Sequence, residues 1–356
     1  MRESHNPHAA MEAGGAYNKH AALQASAGAL ALPVLQIAAS DIRLSDSPEP
    51  FIIADYGSSQ GKNSFVPLRV AINSLRARTS ADRPILVIHI DQPTNDFNEL
   101  FRALNEEPDS YLRDNVNVFH ATVGKSFYES VLPGEFVDLG WSSYAAQWLS
   151  RAPLLIPGHI HARCSSGAVW MAFENQAAED WKAFLALRAR ELRPGGRLVV
   201  VLPGVDDDGS FPLIRLFDEA NNALGEMVID GVITADQRAH MVLSAYPRRR
   251  QDLLAPFTDG ASFEGLTVQH CELSNLHDIG WEDFQSTGDI DAWASKHARF
   301  FRSTFVPSLA SVLRSDFTTT DHVRFADDLE ARLRLHLAQK AAPIQTFVQT
   351  LVLAKA

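Results

Sequence analysis

Cysteine is nearly absent: the 356 residues contain two, Cys164 and Cys271. They lie far apart in sequence, with no partner ligands at metal spacing. Both read as buried free thiols in a reducing compartment, and they leave no disulfide framework. Basic charge is also scarce, with Lys and Arg totalling 32 against 43 Asp and Glu, a net charge of -11. The tightest basic run, Arg248-Arg249-Arg250, is short and reads as a solvated face. No basic stripe offsets the acidic balance, which argues against nucleic acid as a partner. Long apolar runs are missing too. Residues 23–39 are apolar and Ala-rich, but the stretch is too short to span a bilayer and contains Pro33. The polar start, Met1 to His8, carries no signal-peptide core. A soluble, cytoplasmic chain without a membrane partner is the expectation. His89, His120, His159 and His161 show no metal-ligand spacing, and the His159-x-His161 pair reads as structural rather than as a metal site.

What the chain does have is apolar content, 46% of its residues, enough for one large domain with a substantial insertion. Three runs read as buried parallel strands closed by turns: Phe51-Ile52-Ile53-Ala54, Ile85-Leu86-Val87-Ile88-His89-Ile90 and Arg197-Leu198-Val199-Val200-Val201-Leu202. Helical patterns at 65–78 and 95–104 lie between them. A long amphipathic helix over 169–192 stops at Arg193-Pro194-Gly195-Gly196, a turn that feeds the next strand. After Leu202 the pattern turns mostly helical to about Arg250, and again over 281–313, before a final strand at 346–353. Alternating strands and helices predict an α/β fold, an open sheet covered on both faces. A helical cap is expected near its carboxyl edge, where open sheets bind ligands.

The first strand ends in Ala54-Asp55-Tyr56-Gly57-Ser58-Ser59-Gln60-Gly61-Lys62-Asn63. A glycine turn here lets backbone approach a ligand closely. The spacing Gly57-x-x-x-Gly61 is neither the dinucleotide pattern G-x-G-x-x-G nor a P-loop, which disfavours a nicotinamide-dependent oxidoreductase. Asp55 at the strand end would repel a pyrophosphate and suits a ligand with a cationic end. Asp91 ends the second strand, where a carboxylate can accept both hydroxyls of a ribose. Either aspartate alone also reads as a solvated strand end or a helix cap. The two together, flanking the glycine turn, favour a nucleoside ligand.

These motifs resemble the SABATH methyltransferases, the group named for salicylate, benzoate and theobromine methylation. The resemblance runs nearly end to end. It rests on the 53–63 string, Asp91-Gln92-Pro93-Thr94-Asn95-Asp96-Phe97-Asn98, Gly124-Lys125-Ser126-Phe127-Tyr128, Ser142-Ser143-Tyr144-Ala145-Ala146-Gln147-Trp148-Leu149-Ser150 and Glu191-Leu192-Arg193-Pro194-Gly195-Gly196. It implies a Rossmann-like class I methyltransferase core (residues 11–205, 251–275 and 325–356) and a substrate-binding helical cap (206–250 and 276–324). It further implies S-adenosylmethionine as cofactor, a small carboxylic acid as acceptor and a homodimer. Asp55 and Asn63 would contact the methionine part, Asp91 the ribose and Gln92 the adenine, with Ser126 and Phe127 closing over the base. Tyr17 and the Gly57 turn complete the implied cofactor set. Two positions depart from the family pattern. Ala21 replaces a cofactor-binding serine, and the early lysine has no equivalent, Glu12 being nearest. The N-terminal segment is still expected to fold over the site.

The resemblance places the acceptor carboxylate between the Gln24 amide and the Trp148 indole. The chemistry supports two neutral donors there. A carboxylate with a pKa near ~4 is ionised at neutral pH and needs no general base; the protein must supply alignment. An arginine would hold the ground state too firmly. Trp148 and Tyr144, four apart, also read as a core aromatic pair on a helix. Phe217, Tyr246, Phe301, Thr304 and Phe347 are expected to line a narrow apolar slot for a planar acid. Gln147 reads either as a partner for a ring substituent or as a solvent-facing side chain. The expected activity is carboxyl methylation of a benzoate-, salicylate-, cinnamate- or indoleacetate-like acid. The alternatives are N-methylation of a xanthine-like ring, which offers no second oxygen to clamp, and an inactive nucleoside-binding scaffold.

Overall fold

The computed structural model describes residues 11–44, 49–113, 115–260, 262–313 and 317–356. The polar start read from the sequence, Met1 to His8, lies outside the described residues. Three helices lead in, α1 (Ala16–His20), α2 (Ala22–Leu30) and α3 (Leu32–Ser40). The alternating core follows as β1 (Phe51–Tyr56), α4 (Lys62–Arg76), β2 (Ile85–Asp91), α5 (Phe97–Glu106), β3 (Val118–Gly124), β4 (Val137–Ser143), α6 (Gly167–Glu191) and β5 (Leu192–Val205). Next come α7 (Ile214–Ile229), α8 (Ala235–His240), the short β6 (Arg248–Arg249), α9 (Arg250–Leu254) and β7 (Leu266–Leu276). The chain ends with α10 (Ile279–Thr287), α11 (Ile290–Ala310), α12 (Thr319–Gln339) and β8 (Thr346–Lys355).

The sheet runs β3-β2-β1-β4-β5-β8-β7, with β6 paired beside β5. Neighbours from β3 to β5 are parallel, and β8 lies antiparallel between β5 and β7. All six residues of β1 are buried, which explains its uninterrupted apolar run. Phe51 and Ile53 point into one apolar cluster with α3 and α4, whereas Ile52, Ala54 and Tyr56 point into another with α6. Successive strand side chains alternate faces, so one short run seals both layers.

α6 ends at Glu191, and Arg193–Gly196 is built into the start of β5, with Gly195 at φ 83°. α7, α11 and α12 bury a single apolar cluster of their own, the cap, joined by Trp148 and Ile160 from the core loops. The boundary expected at residue 325 falls inside α12, whose Phe325, Leu329, Leu333 and Leu337 all belong to that cap cluster. The stretch expected to be mostly helical to Arg250 is helical only through α7 and α8. Beyond it, residues 241–247 run extended, with Leu243 N–H bonding Ile160 O at 2.9 Å and Tyr246 N–H bonding Gln147 O at 2.8 Å.

Neither cysteine is buried: Cys164 is exposed and Cys271 half-buried on β7, a strand at the edge of the sheet. Among the described residues no single helix is long and apolar enough to cross a membrane; α2 and α3 together pass on composition but meet at a 50° bend.

Candidate functional site

A cleft opens at the carboxyl ends of β1, β2 and β4. The chain leaves β1 through Gly57, held by its N–H to Ile90 O at 2.8 Å. Gly57 has φ 85°, and a Cβ there would sit 2.2 Å from that of Ala145. Glycine is therefore required twice over, by its left-handed backbone and by the close approach of the β4 loop. Asp91 turns back across this loop, its Oδ2 accepting from Ser59 N–H at 2.6 Å and its Oδ1 from Gln92 N–H at 2.7 Å. Burial raises the Asp91 carboxyl to about 6; the two backbone donors pull it down in part, and nearby Asp55 adds to the rise. An ionised carboxylate has about four acceptor positions, so each oxygen keeps one free. Gly57, Ser59, Asp91, Gln92 and Asn95 form the floor of this cleft, and Tyr17, Phe127, Tyr144 and Trp148 form its walls.

Other residues implied by sequence sit differently. Asp55 is buried and does not line the cleft. Its Oδ2 lies 2.9 Å from His89 Nδ1, and His89 Nε2 lies 2.8 Å from the Tyr111 hydroxyl. Asn63 donates to Ala21 O at 3.3 Å and stands within reach of the Tyr17 hydroxyl. Ser126 sits on the loop that carries Phe127 and accepts from Tyr128 N–H at 3.3 Å.

The N-terminal segment roofs the cleft and ties core to cap. Gly14 N–H bonds Asp96 Oδ2 at 2.9 Å, and Gln60 Nε2 bonds Glu12 O at 2.7 Å. On the cap side Glu12 N–H bonds Ser303 O at 2.9 Å, while the Glu12 carboxylate pairs with Arg302, also at 2.9 Å. The side chain of Glu12, the residue nearest the family's early lysine, thus bonds the cap rather than the cleft.

A second cavity adjoins the first. Met11, Tyr17, Tyr144 and Trp148 line both. Tyr144 and Trp148, expected on one helical turn, instead lie in a tight loop after β4: Tyr144 has φ 53°, and Trp148 N–H closes on Ala145 O at 3.0 Å. The loop is pinned by residues 241–247, with Leu149 N–H on Ser244 O at 2.7 Å, so its shape depends on chain a hundred residues away. Gln24 Nε2 donates to Thr304 Oγ1 at 3.2 Å and leaves its buried Oε1 without a partner. Gln147 Nε2 donates to Tyr144 O at 2.7 Å; its Oε1 and the Tyr144 hydroxyl are likewise buried and unpartnered. Buried polar atoms left in this state are costly unless a ligand meets them.

Gln24, Tyr144, Gln147, Trp148, Phe217 and Thr304 converge on this cavity. Tyr246, Phe301 and Phe347, expected with them, do not line it. Tyr246 stacks against Trp170 at 5.3 Å, Phe301 sits behind Phe217 and Phe305, and Phe347 pairs with Asn275 across β7 and β8. Sequence reasoning missed Met11, His161, Phe211, Leu213, Phe300 and Phe305. For the two phenylalanines of α11 the sequence does carry a signal: Phe300 lies one turn before Thr304 and Phe305 one residue after it, so the cavity-facing side of the helix is displaced slightly from the expected one. For His161 no spacing signal existed.

Among the described residues the cavity wall carries no Asp, Glu, Lys or Arg. Its titratable groups are held neutral. Burial raises the Tyr17 and Tyr144 hydroxyls well above their usual range and lowers His161 to about 3, with His159 and Arg163 adding to the fall.

Close to His161, the ligand atoms of His159, Cys164 and Asp218 fall within 4.8 Å of one another. The ring of His159 argues against a metal. Its Nδ1 accepts the His161 backbone N–H at 3.0 Å, so the ring proton sits on Nε2, 3.2 Å from Asp218 Oδ1. A metal on Nε2 would force the proton onto Nδ1, against another N–H. Histidine ligands normally donate from the second nitrogen.

The family model for S-adenosylmethionine-dependent carboxyl methyltransferases matches residues 8–355. A methyltransferase from Fusarium sp, LUC1, is 30% identical over 68% of this chain and 65% of its own length. A benzoic acid/salicylic acid carboxyl methyltransferase of Petunia hybrida is 29% identical, over 69% and 72% respectively. The salicylate carboxymethyltransferase of Clarkia breweri is 30% identical, over 67% and 66%. Among solved structures, a loganic acid methyltransferase with SAH superposes with a TM-score of 0.74 at 22% identity, covering 97% of this chain and 98% of that one.

Proposed function

This chain belongs to the S-adenosylmethionine-dependent carboxyl methyltransferases, and we propose that it esterifies a small, largely planar aromatic or aryl-alkanoic acid. The supporting observation is the shared wall: Tyr17, Tyr144 and Trp148 separate two adjoining compartments, one built around Asp91 and one uncharged and aromatic. The cofactor fits the first compartment. Asp91 keeps acceptor positions for two ribose hydroxyls, and Phe127 and Gln92 offer faces to an adenine.

When bound, S-adenosylmethionine supplies an electrophilic methyl group on a cationic sulfur. The residues of this chain do the rest. The acid enters as a carboxylate, ionised because its pKa is near ~4, so its attack on the methyl group needs no general base. The Trp148 indole N–H and the second N–H of the Gln24 amide hold the carboxylate oxygens, with Thr304 fixing the amide through its hydroxyl. Neutral donors aim the nucleophile without quenching it as a guanidinium would. The roof from Met11 to Tyr17 excludes water, which strengthens the attraction between the substrate anion and the cofactor cation. The names of the relatives, which concern salicylic, benzoic and loganic acids, support an acid of this size. A homodimer, a cytoplasmic location and the absence of nucleic-acid and membrane partners belong to the same reading.

The test is methyl transfer from radiolabelled S-adenosylmethionine to a panel of small carboxylic acids, with xanthines as controls. Label extracted as an ester from one or two acids supports the reading. Label on a xanthine alone overturns it in favour of ring N-methylation.

A further inference from the structure

His161 stands on the acceptor side only: it lines the second cavity and not the cofactor cleft. It is 1% exposed, and its ring packs against Phe211, stacked at 5.6 Å, and Phe217, tilted at 4.5 Å, two rings that also lie 6.4 Å from each other. Its Nδ1 accepts the Arg163 backbone N–H at 3.2 Å, which places the ring proton on Nε2. The ring therefore offers the cavity one fixed N–H donor, in a wall otherwise made there of Phe211, Leu213 and Phe217. The neighbouring charged group, Arg163, is turned away onto Gly209 O and the Trp170 face. A lone donor in an apolar wall is unfavourable unless a ligand atom meets it.

We propose that His161 is a specificity-determining residue. Its Nε2–H accepts into the slot an acid bearing a neutral oxygen (hydroxyl, ether or carbonyl) on the part remote from the carboxylate that is methylated. This rests on the carboxyl-methylation reading and narrows its substrate class to mono-acids with such an oxygen. A second carboxylate is disfavoured, since among the described residues no Lys or Arg lines the slot to receive it. The ring stays neutral from pH 6 to 9 because burial, His159 and Arg163 hold its pKa at about 3, so the selectivity is independent of pH over that range.

The experiment compares kcat/KM for benzoic, cinnamic and indoleacetic acids with their ring-hydroxylated isomers, in the wild type, His161→Phe and His161→Gln. One neutral hydrogen bond should favour the best hydroxylated isomer by about five- to tenfold, mainly through KM. In His161→Phe, which keeps the aromatic stack, that ratio should fall to near one. In His161→Gln, which keeps an N–H, part of it should return. General structural damage would lower both acids of a pair alike and leave the ratio unmoved. Equal turnover of plain and hydroxylated acids by the wild type would overturn the inference while leaving carboxyl methylation intact. So would a ratio that survives in His161→Phe or that follows protonation between pH 6 and 9. Failure of every acid to be methylated would overturn the carboxyl-methylation reading, and this inference with it.

Discussion

Cofactor affinity should fall in mild acid, and Asp91 should be the cause. Its carboxyl, raised to about 6 by burial, is half protonated at pH 6 in the free protein. Two ribose hydroxyls need acceptors, and the ionised carboxylate provides them with its two remaining positions. Protonation converts one oxygen into a donor and removes that match. If only the ionised form binds, the apparent Kd scales as 1 + 10^(pKa − pH). For S-adenosylhomocysteine it should then be about twofold weaker at pH 6 and about tenfold weaker at pH 5 than at pH 8. The sign is opposite for folding without ligand: a carboxyl raised above its unfolded value stabilises the fold at low pH and loses that contribution as pH rises through about 6. Asp91→Asn removes the charge and turns an amide N–H toward the Ser59 or Gln92 backbone N–H. It should weaken binding at pH 8 by about 10- to 100-fold, the value of a charge-assisted hydrogen bond, and flatten the pH profile. Isothermal calorimetry of both proteins from pH 5 to 8 gives the answer. A flat wild-type profile, or the same slope in Asp91→Asn, would refute the reasoning.

Trp148→Phe keeps a ring against Phe305 but deletes the indole donor. Turnover of acids should fall by about 10- to 100-fold while S-adenosylhomocysteine affinity changes little; unchanged turnover would show that Trp148 only packs. Gly57→Ala puts a methyl on a backbone at φ 85°, 2.2 Å from the Ala145 Cβ. It should abolish measurable cofactor binding and lower the melting temperature, and a variant that binds normally would contradict the observed approach of the two loops. Asp278 caps α10 and accepts from Trp293 Nε1, His297 Nε2 and Ile344 N–H, at 2.9, 3.1 and 3.0 Å. Burial raises its carboxyl, but His297, Ile344 and Trp293 outweigh burial and hold it at about 2. Its stabilising charge is therefore present above the ordinary carboxylate range and lost as pH falls through about 2. Asp278→Asn should cost about 1–3 kcal/mol in urea unfolding at pH 7, and an unchanged midpoint would remove it as a tie between cap and core.

The strands legible in the sequence are those whose two faces are both covered. β1, β2 and β5 show continuous apolar runs because each residue meets either the α3–α4 cluster or the α6 cluster. β3 and β7 are edge strands, with Phe119 54% exposed on one and polar residues interspersed among the apolar ones on the other. Neither produces a run. β4 is central but carries Asp138 and Gly140: Asp138 accepts the Ile52 N–H at 2.8 Å, and Gly140 leaves room for Leu198 and Tyr56. Those residues read locally as a turn and act structurally as a strand. α12 escaped notice for a different reason, since its buried positions are one narrow stripe in an otherwise charged helix.

The same physics separates the two halves of the site. The nucleoside cleft is local in sequence: a glycine turn and a carboxylate at the ends of adjacent strands are fixed by strand pairing, so Gly57 and Asp91 are expected together from their order alone. The acceptor cavity has no such frame. Trp148 and Gln147 take their positions from residues 241–247, Gln24 from Thr304 on α11, and His161 from Phe211 and Phe217 before and within α7. Each pairing joins segments with separate periodicities, and a shift of one residue on α11 decides whether Phe300 or Phe301 faces the cavity. The cofactor can therefore be deduced from motifs, whereas acid selectivity resides in contacts that only the folded cap creates. Exchanging cavity residues such as His161 of the core loop or Phe305 of the cap should change which acid is methylated without changing S-adenosylhomocysteine affinity by more than about threefold, since distant sites with no shared partners act nearly additively. A cap substitution that altered both together would show that the wall of Tyr17, Tyr144 and Trp148 couples the compartments instead of separating them.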